Sequence, residues 1–401
     1  MDTGFWKAGH RPTLFAAFFY FDISFMVWVL LGPLGVAISK DLGLSPAQKG
    51  LMVATPVLAG AVLRIVNGVL VDRLKPKLAG LIGQLFVISG LFIAWSVGVH
   101  SFNQILLLGV VLGMAGASFA IALPLASRWY PPQYQGTALG IAGAGNSGTA
   151  LAALFAPSLA LVFGWRNVLG LAILPLLMAL AVYLICARNS PNNPPAKPLH
   201  AYFKPLAHGD AWWFMFFYAV TFGGFVGLSS SLTIYFNDQY GLTPVIAGYC
   251  TAACVFAGSL VRPLGGAFAD RIGGIRTLTL MYIVAALALA VVGTNLPTAA
   301  GALGVFVVAM LALGMGNGAV FQLVPQRFRE EIGVMTGLVG MAGGVGGFFL
   351  ASSLGFAKQL TGGYQYGFYI FAGLAVLALV GLSLIKRRWR TTWGAVAQAR
   401  I

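Results

Sequence analysis

Apolar residues run along this chain in long unbroken stretches, separated by short polar segments. Twelve stretches can be read, at 13–39, 50–71, 78–98, 103–127, 137–163, 167–187, 211–236, 245–269, 277–294, 299–324, 333–356 and 366–385. Each is long enough for a helix of about 20 residues, the length that crosses a bilayer core. The runs are continuous rather than alternating, which excludes a membrane β-barrel. The longest polar interruption, Arg188–Asp210, contains RNSPNNPPAKP and cannot continue a membrane helix. It divides the chain into an N-terminal six-helix bundle (1–187), a cytoplasmic linker (188–210), and a C-terminal six-helix bundle with a basic tail (211–401). The expected fold is an all-α membrane protein of twelve transmembrane helices.

The two halves repeat each other. Gly68-x-x-x-Asp72-Arg73 recurs as Gly266-x-x-x-Asp270-Arg271, and Leu112-Gly113-Met114, ten residues before Pro124, recurs as Leu313-Gly314-Met315, ten before Pro325. The glycine-rich fifth span (Gly140, Gly143, Gly145, Gly148) recurs as the eleventh (Gly337, Gly340, Gly343, Gly344, Gly346, Gly347). Six spans per half start both repeats from the same side, so they are parallel repeats about an axis along the membrane normal.

Composition agrees: 59% hydrophobic, 8% charged, mean hydropathy +0.87. The net charge of +15 invites a nucleic-acid reading, but its placement argues for topology. Outside loops hold only Lys40, Lys49, Arg166 and Lys358. Apart from Arg64 and Arg262, all other Lys and Arg fall in the remaining loops and tails. The positive-inside rule then sets both termini in the cytoplasm, with a weak attraction to anionic lipid. The first span is read as an uncleaved helix. Cys186, Cys250 and Cys254 lack the partners of a metal site, all four histidines lie in loops or tails, and no glycine run has the context of a nucleotide loop. No cofactor, metal or enzyme chemistry is expected.

Arg64 and Arg262 lie inside spans at matching places, each eight residues before an Asp-Arg pair. An arginine at the centre of a membrane helix costs about 2.5–3.5 kcal/mol on insertion scales, and its planar guanidinium suits flat oxyanions. Of the nine acids only Asp22 lies within a span. One acid cannot neutralise two buried arginines, so positive charge is left for a small anion.

The Gly-x-x-x-Asp-Arg loop with Lys75 and Lys77 resembles the loop signature of the major facilitator superfamily. Within it, residues 19–36 (FYFDISFMVWVLLGPLGV), 142–150 (AGAGNSGTA) and 337–348 (GLVGMAGGVGGF) resemble the nitrate/nitrite porter family. Arg64 and Arg262 fall where that family carries its anion-binding arginines. The resemblance implies a carrier, monomeric in the simplest case, in the cytoplasmic (inner) membrane that imports nitrate, with nitrite as a second candidate substrate, by alternating access, in assimilation or respiration.

The implied substrate site comprises Arg64, Arg262, the aromatic walls Phe119 and Phe321, and Asn146 with Gly145, with Tyr218, Asn317 and Ser229–Ser231 as further polar candidates. Gly143, Gly148, Gly340, Gly343 and Gly344 are expected to serve close helix approach and gating. Asp72, Arg73, Asp270 and Arg271 are expected to latch the cytoplasmic side. Asp22 is the candidate proton carrier, because moving an anion inward against the membrane potential costs roughly 2.3 kcal/mol per 100 mV. A static pair with an arginine, or a cap on a broken helix, are its alternative roles. Nitrate/proton symport is therefore the leading expectation and nitrate/nitrite exchange the alternative. Another small-anion carrier or an anion channel stands further off.

Overall fold

The computed structural model describes residues 4–191, 198–328 and 331–395. Lys197, Arg329 and Arg400, counted above among the basic residues, lie outside the described residues, as do Asp2 and Glu330. Among the described residues, ten helical stretches are long and apolar enough to cross a membrane. Pro46–Val97 is in fact two helices, bent at Lys75 with φ +66°, because the following Pro76 disfavours helical geometry at the residue before it. The first span is also divided, into Arg11–Trp28 and Gly35–Leu42. Pro33 in the intervening turn has no N–H to continue the ladder. The fold is thus twelve membrane helices in two groups of six.

Other spans are broken too. The fourth is Phe102–Gly116 and Phe119–Ser127; the fifth runs Pro132–Gly143, a tight turn Ala144–Ser147, then Gly148–Phe163; the eighth is Pro244–Leu260 and Arg262–Ile272. Irregular backbone at membrane depth is tolerated where protein buries it or where it lines a cavity. The breaks in the fourth and eighth spans adjoin Arg64 and Arg262, and the turn in the fifth adjoins Asp22. The seventh (Gly209–Tyr240), ninth (Gly274–Gly293), tenth (Ala299–Arg327), eleventh (Ile332–Thr361) and twelfth (Gln365–Thr391) are continuous.

The second and eleventh spans cross face to face between the halves. A methyl at Gly344 would lie 2.6 Å from Ala61 Cβ, and one at Gly50 would lie 2.9 Å from Gly355 Cα. Only glycine permits this backbone approach. Going the other way along the same faces, a Cβ at Gly68, Gly333 or Gly337 would meet no neighbouring atom within 4 Å among the described residues. The two helices therefore touch at the end bearing Lys49 and diverge toward the end bearing the Arg188–Asp210 connection. Lys49 to Asp238 (3.1 Å) and Ala47 N–H to Gln359 Oε1 (3.0 Å) bridge the halves at the closed end.

Candidate functional site

Arg64 is held from all sides. Its Nε donates to the Gly116 carbonyl at 3.3 Å, at the break in the fourth span, and Nη1 donates to the Gly340 carbonyl of the opposite half at 2.5 Å. Asn67, one turn on, donates to the Ala117 carbonyl (3.1 Å). These side chains of the second span satisfy carbonyls near the break. Three rings surround the guanidinium: Phe119 at 5.0 Å, Phe222 at 5.2 Å and Trp28 at 5.5 Å from Cζ. Trp28 is fixed by its N–H bond to the Pro56 carbonyl (2.7 Å). Arg64 is 1% exposed, yet among the described residues its Nη2 has no hydrogen-bond partner.

Arg262 sits just past the break in the eighth span, before Pro263. Its Nη2 donates to the Tyr218 hydroxyl (3.2 Å), and Phe321 lies 5.5 Å from Cζ. Its Nη1 is buried without a partner. Among the described residues each arginine thus keeps one buried nitrogen without a partner. Neither forms an ion pair among the described residues. Stranding a buried donor costs about 1–3 kcal/mol, more for a charged group, so each of these nitrogens is chemically suited to an acceptor group.

The rings join the halves. Phe119 and Phe321 are 6.3 Å apart between centroids, and Tyr218 stands edge-on to Phe321 at 4.9 Å. Tyr218 stacks on Phe222 at 5.1 Å with planes 5° apart. This stack on one face of the seventh span touches Arg262 at one end and Arg64 at the other. Phe222 was missed in the sequence, where 29 phenylalanines hide any one of them. Its i+4 spacing from Tyr218 was the available signal.

Asn146 and Asn317 are 2% and 1% exposed, each with a bare amide oxygen. Gly318, next to Asn317, packs on the backbone of Arg262, where a methyl would lie 2.3 Å from its carbonyl. Ser230 and Ser231 are buried with bare hydroxyls, whereas Ser229 donates to the Phe225 carbonyl (2.6 Å).

Asp22 does not pair with either arginine. One carboxylate oxygen accepts from the Ser147 hydroxyl (2.7 Å), and the Gly148 N–H also donates to this carboxylate. It caps the helix that restarts at Gly148. Gly145 and Gly148 let the first span approach: added methyls would lie 2.5 Å from Phe21 and 1.7 Å from the Asp22 carbonyl oxygen. Gly343 makes room for Tyr218 (2.7 Å) and Gly340 for Arg64 (3.3 Å), while Gly143 meets nothing within 4 Å.

At the open end, Asp72 accepts from Arg128 (3.1 Å) and from the Tyr202 hydroxyl, and hydrogen bonding to Asp72, after desolvation, holds the Tyr202 phenol above its ordinary range. Arg73, Asp270 and Arg271 are exposed. A second cluster had no sequence signal, because Asp210 looked like the edge of a connection. It is 8% exposed and accepts from Arg327 (2.8 Å), Trp389 (2.8 Å) and Arg388.

Residues 14–351 match the Major Facilitator Superfamily. The probable nitrate/nitrite transporter NarK2 of Mycobacterium tuberculosis is 32% identical, over 94% of this chain and 97% of that protein. The probable nitrate/nitrite antiporter NarK1 of Thermus thermophilus is 31% identical, over 91% and 89%. A bacterial homologue of the human lysosomal transporter Spinster superposes with a TM-score of 0.70 at 19% identity, covering 93% of this chain and 96% of that one.

Proposed function

The chain belongs to the nitrate/nitrite porter family of the major facilitator superfamily, and from that premise we propose that it carries nitrate, and nitrite, inward across the cytoplasmic membrane together with protons. The observation that carries the anion assignment is the pair of bare, buried guanidinium nitrogens, Arg64 Nη2 and Arg262 Nη1, one from each half and walled by aromatic rings. A flat, weakly hydrated monovalent anion accepts two in-plane donors and tolerates apolar faces. A strongly hydrated sulfate or phosphate would lose too much hydration there.

In this reading the anion bridges Arg64 and Arg262, offsets their mutual repulsion, and lets the halves (1–187 and 211–401) rock about it. The positive-inside rule puts the Arg188–Asp210 connection and both termini in the cytoplasm, so the open end faces inward. Asn146 and Asn317 complete the lining. Asp72 and its partners act as a conformational latch, and a monomer suffices.

Asp22 is the proton carrier of this proposal. Its carboxylate is acceptor-only toward Ser147 and Gly148. Protonation turns one oxygen into a donor and loosens the turn at Ala144–Ser147, linking proton occupancy to the geometry of the fifth span. One observation favours the second reading, nitrate/nitrite exchange: Asp22 is already satisfied as a helix cap and contacts neither arginine. The test is uptake into liposomes, with an imposed pH gradient or with internal nitrite alone. Uphill uptake that needs the proton gradient supports symport. Uptake that needs nitrite and ignores pH establishes exchange, and no nitrate flux in either format overturns the substrate.

A further inference from the structure

A small cavity opens at the end that carries the chain termini, away from the anion site. Lys7, Ala8, Gly9, His10 and Trp129 line its roughly 250 Å³. Its floor is rigid. The His10 ring lies 4.9 Å from that of Trp129, and the Trp129 indole N–H donates to the Arg188 carbonyl (2.9 Å). The Thr13 N–H donates to His10 Nδ1 (3.3 Å). The Thr13 hydroxyl also lies 2.7 Å from Nδ1, so Thr13 occupies that edge of the ring and Nε2 is the nitrogen left to an incoming acceptor, which selects the tautomer protonated there.

The rim is cationic. Lys7, Arg11 and Arg188 are exposed, and none has an acidic partner among the described residues. Arg188 lies close enough to His10 that, after burial, its charge helps hold the imidazole below its ordinary range. Beside the rim, Trp6 and Phe15 stack at 6.1 Å with planes 9° apart, and are 48% and 51% exposed. Exposed stacked aromatics next to the first membrane helix place this rim at headgroup depth.

We propose that the Lys7–His10–Trp129 cavity is a binding site for the headgroup of an anionic phospholipid, with the phosphate held by Lys7, Arg188 and the His10 Nε2–H and the acyl chains running past Trp6 and Phe15. The occupant is a lipid rather than a soluble phosphate because the rim combines cations with exposed apolar rings. A free phosphate would use the cations and gain nothing from the rings. Seated there, the lipid ties the N-terminal segment to the loop after the fourth span and to the end of the sixth.

The test uses the full chain in nanodiscs of phosphatidylcholine, with and without phosphatidylglycerol. Retained lipid is counted by native mass spectrometry and thermal unfolding is followed in parallel. The wild type is expected to retain phosphatidylglycerol and to unfold at a higher temperature in its presence. Lys7→Gln/Arg188→Gln is expected to lower that retention roughly tenfold or more, since each basic side chain at an anionic surface contributes separately. Nitrate uptake by the double variant in phosphatidylcholine should equal that of the wild type, which shows it is folded. Trp6→Ser/Phe15→Ser should weaken retention with every cation in place. Equal retention by wild type and both variants would overturn the proposal. So would inorganic phosphate, added to phosphatidylcholine discs, reproducing the whole stabilisation.

Discussion

Replacing Lys49 with Gln should open the end that is closed in this structure. Lys49 Nζ lies 3.1 Å from Asp238 Oδ2, and the two side chains are 21% and 19% exposed. The same oxygen accepts the Tyr364 hydroxyl (2.9 Å). The pair joins the second span to the seventh, so it exists only while that end is shut. Exposed ion pairs contribute about 0–1 kcal/mol, and hydrogen bonds to charged groups about 1.5–3 kcal/mol. A pair four-fifths buried falls between, near 1–1.5 kcal/mol. Losing it from the closed state alone shifts the equilibrium about five- to thirteenfold toward the opposite state. Spin labels on cysteines at Val162 and Leu360, which are 73% and 81% exposed on opposite halves of that end, would report the change by pulsed electron resonance. The native cysteines would first be replaced. The longer-distance population should rise by that factor, and the charge swap Lys49→Asp/Asp238→Lys should restore most of the original ratio. A distance distribution unchanged by Lys49→Gln would refute the assignment of this pair as a gate.

Four other outcomes follow from the geometry. Arg64→Lys should lower kcat/KM for nitrate uptake by about 100-fold, because an ammonium cannot reproduce the planar fork that bonds Gly116 and Gly340 and still presents an in-plane donor; transport within threefold of wild type would contradict the cage. Asp22→Asn should abolish proton-driven accumulation while sparing nitrate/nitrite counterflow, and unchanged uphill uptake would remove Asp22 from coupling. Gly148→Ala should destabilise by about 1–3 kcal/mol or more, since its methyl would lie 1.7 Å from the Asp22 carbonyl oxygen, whereas Gly143→Ala meets nothing within 4 Å and should stay within about 1 kcal/mol; thermal unfolding in detergent separates them. Asp210→Asn should cost about 1.5–3 kcal/mol, because Arg327 and Trp389 lose a charged acceptor while the Arg388 partner, 54% exposed, adds little, and a melting temperature equal to wild type would show that the cluster is not structural.

The sequence alone determined the membrane fold, the two-half repeat and the two arginines. The solvent is the reason. A bilayer forces each crossing segment to satisfy its own backbone, so spans appear as uninterrupted apolar runs, and it makes every charge within a span costly enough to stand out. Packing decided the rest. Arg64 meets a carbonyl 276 residues away, and Tyr202 meets Asp72 across 130 residues; no local pattern encodes such pairs. Phe222 differs from other phenylalanines only in what lies beside it. Lys49 read as an ordinary loop cation until the crossing of the second and eleventh spans brought the two halves together at that end. Asp22 was visible as a buried acid, but only the turn at Ala144–Ser147 turned it into a cap. Which end is shut, and which single nitrogen of each arginine stays bare, depends on how helices from different halves approach, and that is fixed by glycine contacts and helix breaks acting in three dimensions.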